Sequence, residues 1–266
     1  MRIIKKIIFT VGTILIILNL CGVLLNLRNE DIYNERQNKF GIELREAHFY
    51  KELDYIFNSS ATDSSKIVAT TYLVNKGLAH YWKDEGIHKY NLTIPLYENY
   101  LLWLGSYVFP KRYQKYEFFD YRKAIERGVG LCSQLSIIQT EILKEKGINS
   151  KIIGLSGHVI ATAEYSPNKW IIVDPDYGVN IPFDIKTIES NTKLIEKYYH
   201  YEGYDSLLVA TLKEFYNSEG NQIHNDAFSY SPRKALIEII SYWFIWIIPI
   251  FMILPFKKIK LFKHGT

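Results

Sequence analysis

Two long apolar runs bracket a chain whose middle alternates short apolar and polar stretches. The first runs from Ile7 to Leu27 without a charge, after Met-Arg-Ile-Ile-Lys-Lys. About 20 such residues cross ~30 Å of hydrocarbon as a helix. The run exceeds the apolar core of a cleaved leader, and no small-x-small site follows it, so an uncleaved span is expected over residues 7–27. The second run, residues 236–255, is rich in Ile, Phe and Trp, with Glu238 near its edge and Pro249 inside it. Membrane helices tolerate such a proline, and Tyr242, Trp243 and Trp246 suit an interface. Arg2, Lys5 and Lys6 precede the first run; Lys257, Lys258, Lys260 and Lys263 follow the second. Positive flanks favour the cytoplasm. The expected topology is two-pass, with residues 1–6 and the basic tail 256–266 cytoplasmic and residues 28–235 extracytoplasmic, in a periplasm or at a cell surface. Two spans are too few for a transporter, and no buried charge network is expected in them.

Between the runs, residues 29–51 are charged and helix-compatible. The polar stretch Asn58 to Ser65 is placed to cap a helix from Ile67 to Asp84. A second helix is predicted over Asn91–Val108, stopped by Pro110, because Leu96, Tyr100, Leu101, Leu104 and Val108 recur at helical spacing. A third is predicted over Gln134–Lys146, with Leu135, Ile138, Ile142 and Leu143 on one face and Gly147 as its C-cap. Strands follow at Lys151–Leu155, His158–Tyr165 and Trp170–Val173, the last two joined by Ser166-Pro167-Asn168-Lys169. Helices followed by antiparallel strands make an α+β pattern.

Composition changes this picture little. Hydrophobic residues make up 48% and charged residues 23% of the 266 residues, an ordinary globular balance. The net charge of +4 lies partly at the ends, and no basic face with interleaved aromatics argues for nucleic acid. Of the two cysteines, Cys21 sits in the first apolar run and Cys132 far away in the polar middle, so no disulfide framework is expected. No Cys-x-x-Cys or His-x-x-x-His spacing suggests a metal, and no cofactor is expected.

The candidate chemistry centres on Cys132, in Arg127-Gly128-Val129-Gly130-Leu131-Cys132-Ser133-Gln134. A thiolate is the attacking species, and a helix start or a neighbouring imidazole favours it. No acidic residue lies within five positions of Cys132. Gly128 and Gly130 allow a sharp turn and close backbone approach. His158 opens one predicted strand and Asp174 ends the next, so an antiparallel pair would set them side by side. The carboxylate then holds one ring nitrogen and the other faces the thiol, the logic of a triad. The Cys132 amide is a natural oxyanion donor, with Trp82, Tyr113 or Tyr116 as candidates for the second, and Gln134 near enough to reach the site or to pack.

Residues 118–178 resemble the transglutaminase-like superfamily, relatives of papain-type cysteine peptidases. Three segments carry the resemblance: Arg127-Gly128-x-Gly130-x-Cys132, the helix ending Gly147-Ile148, and Trp170-Ile171-Ile172-Val173-Asp174-Pro175 after His158. The chain has Asn149 and Lys151 where the family has Pro and Arg, and Ile160 where a Trp is usual. The resemblance implies a papain-like fold with its core over about residues 95–185, the nucleophile helix packed on an antiparallel sheet, and a catalytic triad of Cys132, His158 and Asp174. It further implies a membrane-anchored enzyme acting on amide bonds, by acyl transfer or hydrolysis through a thioester, with protein, peptide or envelope-polymer substrates. The alternative is a catalytically inactive binding or scaffold module of the cell envelope.

Overall fold

The computed structural model describes residues 2–34, 44–80, 86–217 and 220–254. In chain order the elements are α1 (Arg2–Leu24), a 3-10 turn (Glu30–Asn34), α2 (Glu46–Asn58), α3 (Asp63–Gly77), β1 (Ala79–His80), α4 (Gly86–Lys89), α5 (Tyr100–Val108), α6 (Pro110–Tyr113) and α7 (Tyr121–Arg127). Then come β2 (Val129–Gly130), α8 (Cys132–Glu145), β3 (Ser150–Gly154), β4 (Val159–Ser166), β5 (Lys169–Asp174) and β6 (Val179–Ile181). The chain continues through α9 (Ile185–Ser190), α10 (Leu194–Tyr201), α11 (Ser206–Tyr216), β7 (Gln222–His224), α12 (Ala227–Tyr230) and α13 (Pro232–Ile253).

Contacts divide the chain into two compact units. The helical unit gathers Met1–Asn26, Thr93–Tyr116 and Leu236–Thr266; the sheet unit gathers Leu27–Leu92 and Glu117–Ala235. The segment 93–116, expected to belong with the central polar domain, thus clusters with the two apolar helices.

The sheet unit is a mixed α and β structure around a five-stranded antiparallel sheet of order β6-β5-β4-β3-β7. Its central strands bury both faces, so period-two alternation sorts residues between two helical layers. Ile160 and Ile172 join Ile188, Ile195, Val209 and Leu212 of α9, α10 and α11. Ala161, Ala163, Ile171 and Val173 point the other way, against Ile67 of α3 and Leu143 of α8. Fully burying one such aliphatic side chain contributes about 1.5–3 kcal/mol. The β4–β5 hairpin turns where Asn168 adopts φ 61°. This fixes Ala161 opposite Val173 and brings the start of β4 to the end of β5.

Several predicted boundaries shift for local reasons. The helix expected to reach Asp84 ends at Gly77, because Ala79 and His80 pair in parallel with Val129 and Gly130. The helix predicted over Asn91–Val108 begins only at Tyr100, where Asn99 accepts hydrogen bonds from the amides of Leu101 and Leu102; Pro95 and the positive φ of Asn91 break the earlier stretch. Pro110 stops that helix and opens the next as its first residue. Gly147 takes φ 83° after α8, with Ile148 N–H donating to Leu143 O at 2.8 Å.

In the helical unit, α1 and α13 are both long and apolar enough to cross a membrane. Asn19 Nδ2 donates to Ile245 O at 2.6 Å between them. Glu238 is buried and accepts from Tyr116 OH at 2.8 Å, and buried Glu98 accepts from Tyr242 OH at 2.5 Å. Glu98 lies in a segment that shows its partners only once folded against α13. The basic tail expected over 256–266 lies outside the described residues.

Candidate active site

The site assembles in the sheet unit from the start of α8 and the adjoining ends of β4 and β5. Cys132 is the first residue of α8, and the preceding Leu131 supplies no side-chain cap. The helix therefore begins with amide groups available for another acceptor, beside the positive end of its dipole.

The approach segment is shaped by its neighbours. Gly128 ends α7 with φ 73°, and a Cβ on it would lie 2.6 Å from the Arg28 guanidinium carbon. A Cβ on Gly130 would lie 2.6 Å from Gln134 Cβ. These glycines thus make room for protein side chains, whatever use a substrate makes of the space. Arg127 is fully buried: its Nε donates to Val129 O at 2.9 Å and its Nη2 to Gln134 Oε1 at 3.3 Å. Gln134 also clamps Phe118, accepting from its N–H at 2.6 Å and donating to its carbonyl at 3.0 Å. Gln134 is therefore a brace that holds the helix start.

His158 immediately precedes β4, and its Nε2 lies 2.8 Å from Asp174 Oδ2. That leaves Nδ1 as the second ring nitrogen, and Cys132 Sγ lies within 4.8 Å of a ring nitrogen of His158. The three side chains are 8%, 4% and 0% exposed for Cys132, His158 and Asp174. Asp174 is held further by Tyr199 OH, donating at 2.6 Å, and by the Asp176 N–H at 3.2 Å. Burial keeps the Tyr199 hydroxyl protonated well above its ordinary range, reinforced by the Asp174 charge. Burial alone would pull the His158 imidazole down. The Asp174 charge and hydrogen bond, with Cys132 beside the ring, outweigh it and hold His158 well above the usual histidine range. Tyr177 packs edge-on against the His158 ring at 5.4 Å, and it also lines a cleft of about 850 Å³ bordered by Tyr55, Tyr72, Asn75 and Tyr204.

Sequence reasoning missed a second pair. His80 Nδ1 hydrogen-bonds Asp176 Oδ1, and both residues are almost fully buried. The β1–β2 register sets His80 opposite Gly130, two residues before the cysteine. Cys132 Sγ, a ring nitrogen of His158 and a carboxylate oxygen of Asp176 lie within 4.8 Å of one another, atoms of the kinds that ligate a metal. The chain near Cys132 is free of acids, yet folding delivers two: Asp176, and Glu117, which accepts from the Ser133 hydroxyl and pairs with Lys234. Asp-Pro-Asp spacing was the available signal for Asp176; His80 had none.

Of the other oxyanion candidates, Tyr113 stacks on Tyr116 within the helical unit, and Tyr116 gives its hydroxyl to Glu238. Trp82 lies outside the described residues. Comparison with family models, curated proteins and solved structures finds no match to this chain. What the geometry defines is a buried Cys-His-Asp group compatible with a cysteine enzyme.

Proposed function

We propose that this chain is a membrane-anchored cysteine enzyme of transglutaminase-like type, acting on amide bonds outside the cytoplasm. The observation that carries the reading is the His158 Nε2 contact to Asp174 at 2.8 Å, which leaves the other ring nitrogen available to Cys132, whose sulfur lies within 4.8 Å of the ring. In this reading the sulfur attacks an amide carbonyl carbon, and His158 gives its proton to the departing amine. A thioester remains on Cys132, and water or a second amine then displaces the sulfur. The Cys132 amide at the start of α8 receives the developing oxyanion.

The two apolar helices support anchoring. Arg2, Lys5 and Lys6 at the start of α1 support cytoplasmic termini and an extracytoplasmic sheet unit. Protein, peptide and envelope-polymer amides are the substrate classes that this location favours. A scaffold reading draws on one observation, that the thiol is only 8% exposed.

Alkylation of Cys132 tests the proposal, using the full chain in detergent with Cys21 replaced by Ser and with chelator present. Replacing His158 by Ala is expected to slow iodoacetamide labelling at neutral pH by ~100-fold or more, the scale on which a positioned base acts. Asp174→Asn should slow it less. Equal rates in all three proteins would sink the triad and leave the scaffold reading.

A further inference from the structure

We infer that Cys132, His158 and Asp176 form a binding site for one zinc-class cation, and that an ion held there blocks the thiol. Triad chemistry makes no use of Asp176, since Asp174 already holds His158. Asp176 is nonetheless 1% exposed, and its Oδ2 has no hydrogen-bond partner among the described residues. A buried carboxylate oxygen left unpaired is costly and asks for a ligand.

The atoms around it form a matched donor set. Asp176 Oδ1 is engaged by His80, which leaves Oδ2 for the cluster. His158 is engaged at Nε2, which leaves Nδ1. With Cys132 Sγ these give one sulfur, one nitrogen and one oxygen, none more than 4.8 Å from another. Zinc bonds of about 2.0–2.3 Å place tetrahedral ligand atoms roughly 3.3–3.8 Å apart, so the cluster needs to close by about an ångström. Three protein ligands with a fourth position left to water is a known zinc arrangement. Hard cations such as calcium and magnesium prefer all-oxygen shells with six or more ligands.

The outer partners are also in place. Asp174 orients the His158 ring, Tyr199 orients Asp174, and His80 orients Asp176. Such partners fix the tautomer and direction of metal ligands. Binding forms metal–sulfur and metal–nitrogen bonds and releases to solvent the one proton that Cys132 and His158 hold between them. The sulfur lone pair and His158 Nδ1 are then both occupied, so the thiol neither attacks nor is alkylated. The site needs only a thiolate, so it stands or falls apart from the acyl-transfer reading.

The test uses the full chain in detergent, stripped with chelator, in the Cys21→Ser background. Cobalt(II) is expected to produce a thiolate-to-metal absorption band that saturates at one equivalent and is missing in Cys132→Ser. His80→Gln should weaken binding by roughly 10–100-fold, as loss of an outer partner does; Asp176→Asn should weaken it at least as much. Zinc should slow iodoacetamide labelling at least tenfold relative to the same protein in chelator, while calcium and magnesium leave it unchanged. On the unmutated site, stoichiometric zinc should raise the melting temperature, as any ligand of the native state does. Absence of the band and of zinc protection overturns the inference, as does protection that persists unchanged in Asp176→Asn. Chelated protein that labels rapidly, with no zinc effect, would leave the triad intact and remove the metal site alone.

Discussion

The two units sort the same residue types in opposite directions. In the sheet unit, Ile153, Ile160 and Ile172 are fully buried, while Lys169 and Glu196 face water. In the helical unit, Ile14, Ile17, Leu104, Phe109 and Trp243 are exposed, and the buried positions include Asn19, Glu98, Asn99, Glu238 and Ser241. Each of those polar groups meets a partner inside the unit: Asn19 on Ile245 O, Asn99 on Ser241 Oγ at 2.9 Å, Ser241 on Glu238 O at 2.8 Å, and tyrosine hydroxyls on both glutamates. An unpaired polar group is intolerable in hydrocarbon, so hidden polar atoms and displayed apolar ones are what the proposed membrane anchoring requires. The inversion extends to α5, whose Tyr107 and Val108 are exposed. A segment from the polar middle of the sequence therefore shares the surface chemistry of the two long helices.

The strongest way to break the comparison is to place the same charge in both units. Ile172→Asp buries a carboxylate between two helical layers, and a loss above ~4 kcal/mol is expected, enough to abolish cooperative melting of the sheet unit. Ile14→Asp sits on the exposed face of α1. It should leave that melting unchanged and instead reduce membrane retention, with an insertion penalty of about 2.5–3.5 kcal/mol. Circular dichroism melts and membrane fractionation read the two outcomes. If Ile14→Asp remains wholly in the membrane fraction, or destabilises the sheet unit as much as Ile172→Asp, the contrast between units is wrong.

A smaller effect is expected where the sheet unit breaks its own rule and buries charge. His158→Ala removes one partner of a buried ion pair and leaves Asp174 in the interior, a loss of about 3–5 kcal/mol. The pH dependence has a definite sign. The folded-state affinity of His158 for its proton is raised, so its contribution is fully present below the unfolded value of about 6.5. That contribution disappears as pH rises through the folded value. Metal-free protein should therefore lose stability on the alkaline side, and His158→Ala should lack that decline. Urea titrations at stepped pH, with chelator present, check it; parallel curves for the two proteins would refute the linkage.

What could be read from sequence divides along the same line of local against distant causes. The α8 start at Cys132 and its Gly147 cap follow from neighbouring residues, and so does the meeting of His158 with Asp174, because one short hairpin sets the β4–β5 register. The two apolar helices announce themselves by length and composition. His80 was invisible: it sits on a two-residue strand whose parallel partner lies 50 positions away, and no local pattern marks it. The same holds for Glu98 and Glu238, whose burial depends on a fold that joins residues 93–116 to α13. Helices α9, α10 and α11 carry buried Ile188, Ile195, Val209 and Leu212, which only the second face of the sheet explains.

The smallest expected effect probes the helical unit's internal polar contacts. Asn19 is buried, and its Nδ2 donates to the Ile245 carbonyl at 2.6 Å, which joins α1 to α13. In water, loss of such a bond would be offset in part by solvent reaching the freed carbonyl. In lipid no water competes, yet a separated helix finds other partners for its polar side chains, and measured interhelical bonds average only about 0.6 kcal/mol. Asn19→Leu keeps α1 apolar and removes the donor, so both helices should stay in the membrane. Their association should weaken by about 0.6–1.7 kcal/mol, while Cys132 labelling in the sheet unit is unchanged. Unfolding in mixed micelles with graded denaturing detergent reads the first quantity, and iodoacetamide rates in the Cys21→Ser background read the second. A loss well above that range would mean that Asn19 secures more than one contact. No loss at all would mean that close packing at Gly12, where an added Cβ would lie 2.9 Å from Met252 Cβ, holds the helix pair without it.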